Sequence, residues 1–142
     1  MGFWQGLAGN MELVGEQEAH QTYGPWLLEG EQIFSAYKTI RDGFCITSTR
    51  VITLDRQGAT GKKTRVYSIS LDAIVAVTAE TAGAGFDDSE ITITFITTPR
   101  RRAHTVAYGT YTFEFPKSFD VAALYRYFQQ VATNNVAALN RD

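Results

Sequence analysis

Gln32-Ile33-Phe34-Ser35-Ala36-Tyr37-Lys38-Thr39-Ile40-Arg41-Asp42-Gly43-Phe44-Cys45-Ile46-Thr47-Ser48-Thr49-Arg50-Val51-Ile52-Thr53-Leu54-Asp55-Arg56 reads as three extended runs joined by two short connections. β-Branched and aromatic residues fill the runs, Asp42-Gly43 is a hairpin signal, and Thr49-Arg50 marks a second tight turn. Connections this short require antiparallel neighbours, because a parallel crossover needs about a dozen residues or more. The same texture continues to Phe115. Strands are expected at 32–41, 44–48, 51–56, 64–71, 74–81, 90–97 and 104–115, with Gln57-Gly58-Ala59-Thr60-Gly61 as the longest turn among the first four.

Alternation assigns faces to some of these strands. Tyr67, Ile69 and Leu71 share one face, and Ile91, Ile93 and Phe95 share another, with Thr92 and Thr94 opposed to them. In the last strand Val106 and Tyr108 fall on one parity and Tyr111, Phe113 and Phe115 on the other, so Gly109 is the expected position of a bulge or bend. After Pro116 an amphipathic helix is expected, with Ser118 as N-cap, Asp120 in its first turn, and Val121, Leu124, Phe128 and Val131 as the apolar stripe. Asn134-Asn135 is its expected stop. Phe3, Leu7, Met11 and Val14 recur at helical spacing from Gly2 to about Glu18, but Gly6, Gly9 and Gly15 weaken that helix, and Tyr23-Gly24-Pro25 ends it. The fold class is therefore mainly β: a partly open seven-stranded antiparallel barrel capped by a carboxy-terminal α-helix, with a short amino-terminal helical segment. Residues 1–28 form that segment and 29–142 the domain.

The chain has 142 residues, with 13 Lys and Arg against 15 Asp and Glu, a net charge of −2. That balance argues against a general nucleic-acid binder, whose phosphate contacts need a cationic excess. A single cysteine, Cys45, excludes an internal disulfide framework, and two histidines cannot fill a multi-His metal site. No apolar run approaches the roughly 18 residues of a membrane span, and Gly6 stands where a myristoylation signal needs Ser or Thr. The expected location is cytoplasmic.

Several stretches together resemble the bacterial pleckstrin-homology-like domains. They are Leu28-Glu29-Gly30-Glu31, Lys38-Thr39-Ile40-Arg41-Asp42, Thr47-Ser48-Thr49-Arg50-Val51-Ile52, Asp55-Arg56-Gln57-Gly58-Ala59-Thr60-Gly61-Lys62-Lys63, Tyr67-Ser68-Ile69 and Glu80-Thr81-Ala82-Gly83. The resemblance implies the seven-stranded barrel with its helix, no enzymatic activity, and cyclic homo-oligomers, a pentamer among them, with a hydrophilic surface where strands of neighbours meet. The Phe86-Asp87-Asp88 turn, the Arg100-Arg101-Arg102 run and the long last strand depart from the family pattern.

Candidate sites follow from charge and spacing. Gly58 to Lys63 lacks the outer glycine and the final Ser or Thr of a phosphate loop, since those positions hold Arg56 and Lys63, and it joins two antiparallel strands. Lys38 and Arg41 flank the first hairpin, where they are expected to pair, between strands or between subunits, with Asp42, Asp55 or Glu80, with Arg50 joining. Lys38, Arg41, Asp42, Arg50, Gln57, Lys62, Lys63 and Glu80 are the expected binding surface, for copies of the chain itself and for an unidentified protein. Arg100, Arg101 and Arg102 are candidate anion contacts. Anionic lipid or inositol phosphate is the alternative ligand, reached through Lys38, Arg41, Lys62 and Lys63 with that triplet. Cys45 with His104 lacks an orienting third group, and Asp87, Asp88 and Glu90 lack the alternating oxygen ligands of a calcium loop. No catalytic residue, metal ligand set or cofactor is assigned. Aromatics beyond the core, Phe3 and Trp4 first, are expected to serve contacts between subunits.

Overall fold

The structure is a computed structural model that describes residues 14–57, 62–83 and 88–141. The expected apolar helix face of Phe3, Leu7 and Met11 lies outside the described residues, as do 58–61 and Phe86-Asp87. Helix α1 spans Glu16–Tyr23 and runs into a 3-10 turn at Gly24–Trp26. Strands β1 to β4 are Ile33–Lys38, Gly43–Thr47, Arg50–Gln57 and Lys63–Ser70. After a 3-10 turn at Leu71–Ala73 come β5, Ile74–Glu80, β6, Ser89–Ile96, and β7, Tyr108–Phe115, then helix α2, Val121–Leu139. The strands form two antiparallel sheets, ordered β1-β2-β3-β4 and β5-β6-β7, and neither closes on itself. The chain divides into two compact units, Met1–Ser68 and Ile69–Asp142.

In the first unit α1 begins close to where the expected helix was to end. The segment Glu16 to Tyr23 carries Glu, Gln and Ala in place of repeated glycine, and Glu16 and Glu18 suit the positive end of the helix dipole. Ala19 and Tyr23, four apart, are buried with Val14, Ile33, Ala36, Cys45 and Ile52, and Leu27, Leu54 and Val66 pack against them. Each fully buried aliphatic side chain of this kind contributes about 1.5–3 kcal/mol. The Val14 amide donates to the Ala36 carbonyl at 2.8 Å, which ties the segment before the helix to β1.

The first hairpin corrects the expected turn. Lys38 pairs with Gly43, so the loop is the four residues Thr39 to Asp42, closed by Thr39 N–H to the Asp42 carbonyl at 3.3 Å and by Asp42 N–H to Thr39 Oγ1 at 3.2 Å. Gly43 belongs to β2, and close approach explains it: a Cβ there would stand 2.6 Å from the Tyr37 carbonyl oxygen and 3.0 Å from the Tyr23 hydroxyl. Gly43→Ala must therefore displace backbone, with an expected loss of about 1–3 kcal/mol readable by chemical denaturation.

In the second unit the register of β6 with β7 is unbroken from Ser89↔Phe115 to Ile96↔Tyr108, so no bulge occurs at Gly109. Phe113 and Phe115 are buried while Tyr108, Thr110 and Thr112 are exposed, which puts Gly109 on the inward parity. A Cβ on Gly109 would come within 3.0 Å of the Phe95 ring. The glycine makes room for that ring, and the apparent break in alternation is its footprint. β7 also starts later than expected, because 104–107 is a connection held by Thr97 N–H to the Ala107 carbonyl and Ala107 N–H to Thr98 Oγ1.

Helix α2 is capped by Asp120, not Ser118: the Asp120 carboxylate accepts from the Ala122 amide at 3.0 Å. Val121, Leu124, Phe128 and Ala132 are its buried residues, and Val131 is only half-buried. The helix packs chiefly on β5. It also passes through Asn134-Asn135, where the Asn135 amide donates to the carbonyls of Leu71 and Ile74 at 2.7 and 2.8 Å. Asparagine here is a tertiary anchor rather than a stop.

Candidate functional site

The most connected polar group is Glu31. The turn from Leu28 places it ahead of β1, where Glu31 N–H donates to the Leu28 carbonyl and the Leu28 amide donates to Glu31 Oε1 at 2.9 Å. Arg50, first residue of β3, grips the carboxylate with two parallel bonds of 2.8 Å, Nε to Oε2 and Nη2 to Oε1. The hydroxyls of Thr47 and Thr49 donate to Oε2 at 2.6 and 2.9 Å. Arg50 reaches further, donating to Ser68 Oγ at 2.7 Å and to the Trp26 carbonyl. The Glu31 side chain is 2% exposed and that of Arg50 16%. The Arg50 hydrogen bonds hold the Glu31 carboxyl well below the ordinary glutamate range, against the opposing effect of burial, and Glu31 in turn raises Arg50. A carboxylate and a guanidinium that satisfy each other so fully have little left for a ligand, and the cluster is a structural knot. Its members come from the Leu28 to Glu31 and Thr47 to Ile52 stretches singled out in the sequence, yet the partnership itself, with Glu31 at its centre, escaped sequence reading.

At the first hairpin the pairs formed within the chain differ from those expected between strands. Lys38 meets Glu18 of α1 at 3.5 Å, both well exposed. Asp42 receives the Arg56 amide at 2.7 Å and its guanidinium at 3.7 Å. Arg41 is exposed and makes no ion pair among the described residues. Lys38, Arg41, Asp42 and Arg56 line a cavity of about 450 Å³ together with Glu18, Tyr23 and Trp26.

The remaining predicted contacts scatter. Gln57 is half-buried at the end of β3, Lys62 and Lys63 are exposed at the start of β4, and Glu80 is exposed at the end of β5. Of the arginine triplet, Arg101 donates to the Thr98 carbonyl at 2.6 Å and pairs with Asp72 at 3.4 Å, and Arg102 donates to the Arg141 carbonyl at 2.7 Å. Two of the three expected anion contacts thus fasten this unit internally. Cys45 is fully buried, and burial, reinforced by the negative charge of Glu31, pushes its thiol up to about 12. A thiol in that setting is protonated at neutral pH, which disfavours a nucleophile. Among the described residues no three His, Cys, Asp or Glu side chains gather in a way that could hold a metal ion, and no helix is long and apolar enough to cross a membrane. A second groove, about 700 Å³, lies between β5 and the start of α2 and is lined by Val77, Ala79, Phe119, Val121, Tyr125 and Arg126 among others.

Seven antiparallel strands in two open sheets, followed by a long amphipathic helix, define a pleckstrin-homology-like fold. The chain belongs to the bacterial PH domain family, whose model matches residues 2–132. A pleckstrin homology domain from Shewanella amazonensis is 33% identical with a TM-score of 0.63, over 92% of this chain and 98% of that one. A protein with a pleckstrin-homology domain from Shewanella loihica is 32% identical with a TM-score of 0.60, over 88% of this chain and 99% of its own. The uncharacterized protein YjqA of Bacillus subtilis is 41% identical over 93 residues, 66% of this chain and 74% of its length.

Proposed function

We propose that this PH-like domain is a non-enzymatic interaction module that assembles as a cyclic homo-oligomer and recruits a protein partner through a polar surface. The observation that carries this reading is β4. It is an edge of its sheet, and Lys63, Thr64 and Arg65 at its start are exposed on both faces of the strand. At this end the strand, paired on one side and bare on both faces, gains little from burial, and its polar residues suit a hydrophilic contact with a neighbour. The polar surface expected from sequence narrows to Arg41, Gln57, Lys62, Lys63 and Glu80, because Lys38, Asp42 and Arg50 bond within their own unit. Sedimentation velocity at tens of micromolar is expected to give one species of several subunits, and a monomer throughout overturns the reading.

Anionic lipid or inositol phosphate binding is the second reading, and the cavity at the first hairpin is the feature that favours it. Its weakness is local charge: Glu18 and Asp42 share the cavity with Lys38, Arg41 and Arg56 and pair two of those three cations. Salt-sensitive flotation of the protein with vesicles containing anionic lipid would support it, and absence of flotation removes it.

A further inference from the structure

The outer face of the second sheet carries a charge arrangement with no use inside its own unit. Register sets Glu80 opposite Glu90, and Glu90 opposite Glu114, so three carboxylates lie side by side across β5, β6 and β7. The next row is Thr78, Thr92 and Thr112, and the one after it Ala76, Thr94 and Thr110. With strands about 4.8 Å apart the glutamate row is about 10 Å long. Like charges directly opposite one another destabilise a sheet. None of the three glutamates has an ion pair among the described residues. The row does not converge on a metal position either. Thr92 and Thr112 bond to each other at 2.8 Å, so the rest of the face is polar and neutral.

The start of β4 supplies the matching charge. Lys62, Lys63 and Arg65 are exposed, and none of them has an ion pair among the described residues. Lys63 and Arg65 are two residues apart, hence on one face of the strand and about 7 Å from each other. Two cations at that spacing fit along a carboxylate row about 10 Å long.

Resting on the assembly reading above, we infer that neighbouring copies meet by seating the β4 edge of one copy, through Lys63 and Arg65 with Lys62 beside them, on the Glu80–Glu90–Glu114 row of the next. One patch meets a different patch, so the contact is heterologous and repeats from copy to copy until rotation closes it. Each carboxylate repulsion tolerated in the isolated sheet becomes an attraction in the assembly.

The test is a pair of charge reversals in the full chain. Glu90→Lys with Glu114→Lys makes a copy with cations on both patches, and Lys63→Glu with Arg65→Glu makes one with anions on both. Either variant alone is expected to associate at least about tenfold more weakly than the unmodified chain by sedimentation. In an equimolar mixture the two variants are expected to bind each other, since each patch then faces its opposite. Glu90→Gln with Glu114→Gln guards against misfolding: its circular dichroism spectrum should match that of the unmodified chain, while assembly weakens. An unmodified chain that is monomeric overturns the assembly reading and this contact together. An assembled chain indifferent to both reversals overturns this contact alone, and so does a mixture in which the two variants fail to bind each other. Indifference to the reversals combined with binding of an oligolysine peptide by the unmodified chain, and not by the Glu90→Lys, Glu114→Lys variant, assigns the face to a basic partner and overturns it as well.

Discussion

Arg50→Met is expected to destabilise the protein by about 3–5 kcal/mol, because it leaves the Glu31 carboxylate charged, 2% exposed and without its cation. For a chain of this size that is a fall of about 10–20 °C in Tm. Glu31→Gln costs less, about 1–3 kcal/mol, because Arg50 at 16% exposure can recover water on one side and glutamine keeps some hydrogen bonds to Thr47, Thr49 and Leu28. Combining the two changes is expected to cost less than their sum, as groups in one network do. Acid adds an independent signature. Arg50 holds the Glu31 carboxyl below the ordinary glutamate value of 4.5, so its stabilisation is complete above that pH and is lost progressively as pH falls below it. Urea midpoints measured from pH 7 down to pH 3 should fall more steeply for the unmodified chain than for Glu31→Gln. Parallel slopes would show that the pair does not carry the acid sensitivity.

Phe128→Ala is the second large effect, an expected loss of about 3–5 kcal/mol. Phe128 is fully buried on the face of α2 that also carries Leu124, and the helix packs chiefly on β5. Truncation opens a void that cannot close, because the helix is pinned at its start by the Asp120 cap and near its end by Asn135 on the Leu71 and Ile74 carbonyls. Thermal melts followed at 222 nm should show the loss, and Phe128→Leu should recover more than half of it. A loss below about 1 kcal/mol would mean that α2 is not held by this face.

The strands were legible because antiparallel runs separated by short polar connections leave few other options, and each observed strand overlaps its expected one. Errors fell where one residue type can do two jobs. Asn134-Asn135 reads as a helix stop, but the same amide that favours a stop also reaches two carbonyls in the second unit. Gly43 and Gly109 read as a turn residue and a bend, while both in fact yield space, to the Tyr37 carbonyl and to the Phe95 ring. At the amino-terminal end the described helix, Glu16–Tyr23, runs past the expected limit near Glu18, because the residues there are better helix formers, while positions 2–13 of the expected helix lie outside the described residues.

The candidate surface was less legible than the fold. Arg50 looked like a surface contact, since nothing in the chain between it and Glu31 announces that a strand and a hairpin will bring the two together. Lys62, Lys63 and Glu80 were identifiable as exposed charge, but Glu90 and Glu114 join Glu80 only through the register of three strands, which no local pattern specifies.

The claim that this bacterial PH domain works as a self-assembling module is tested most directly by native mass spectrometry of the full chain over a hundredfold dilution. The account predicts a single mass at one fixed multiple of 15.8 kDa, persisting until it gives way to monomer without intermediates, as a closed ring requires. A 15.8 kDa species at every concentration, or a ladder of open multiples, would contradict it.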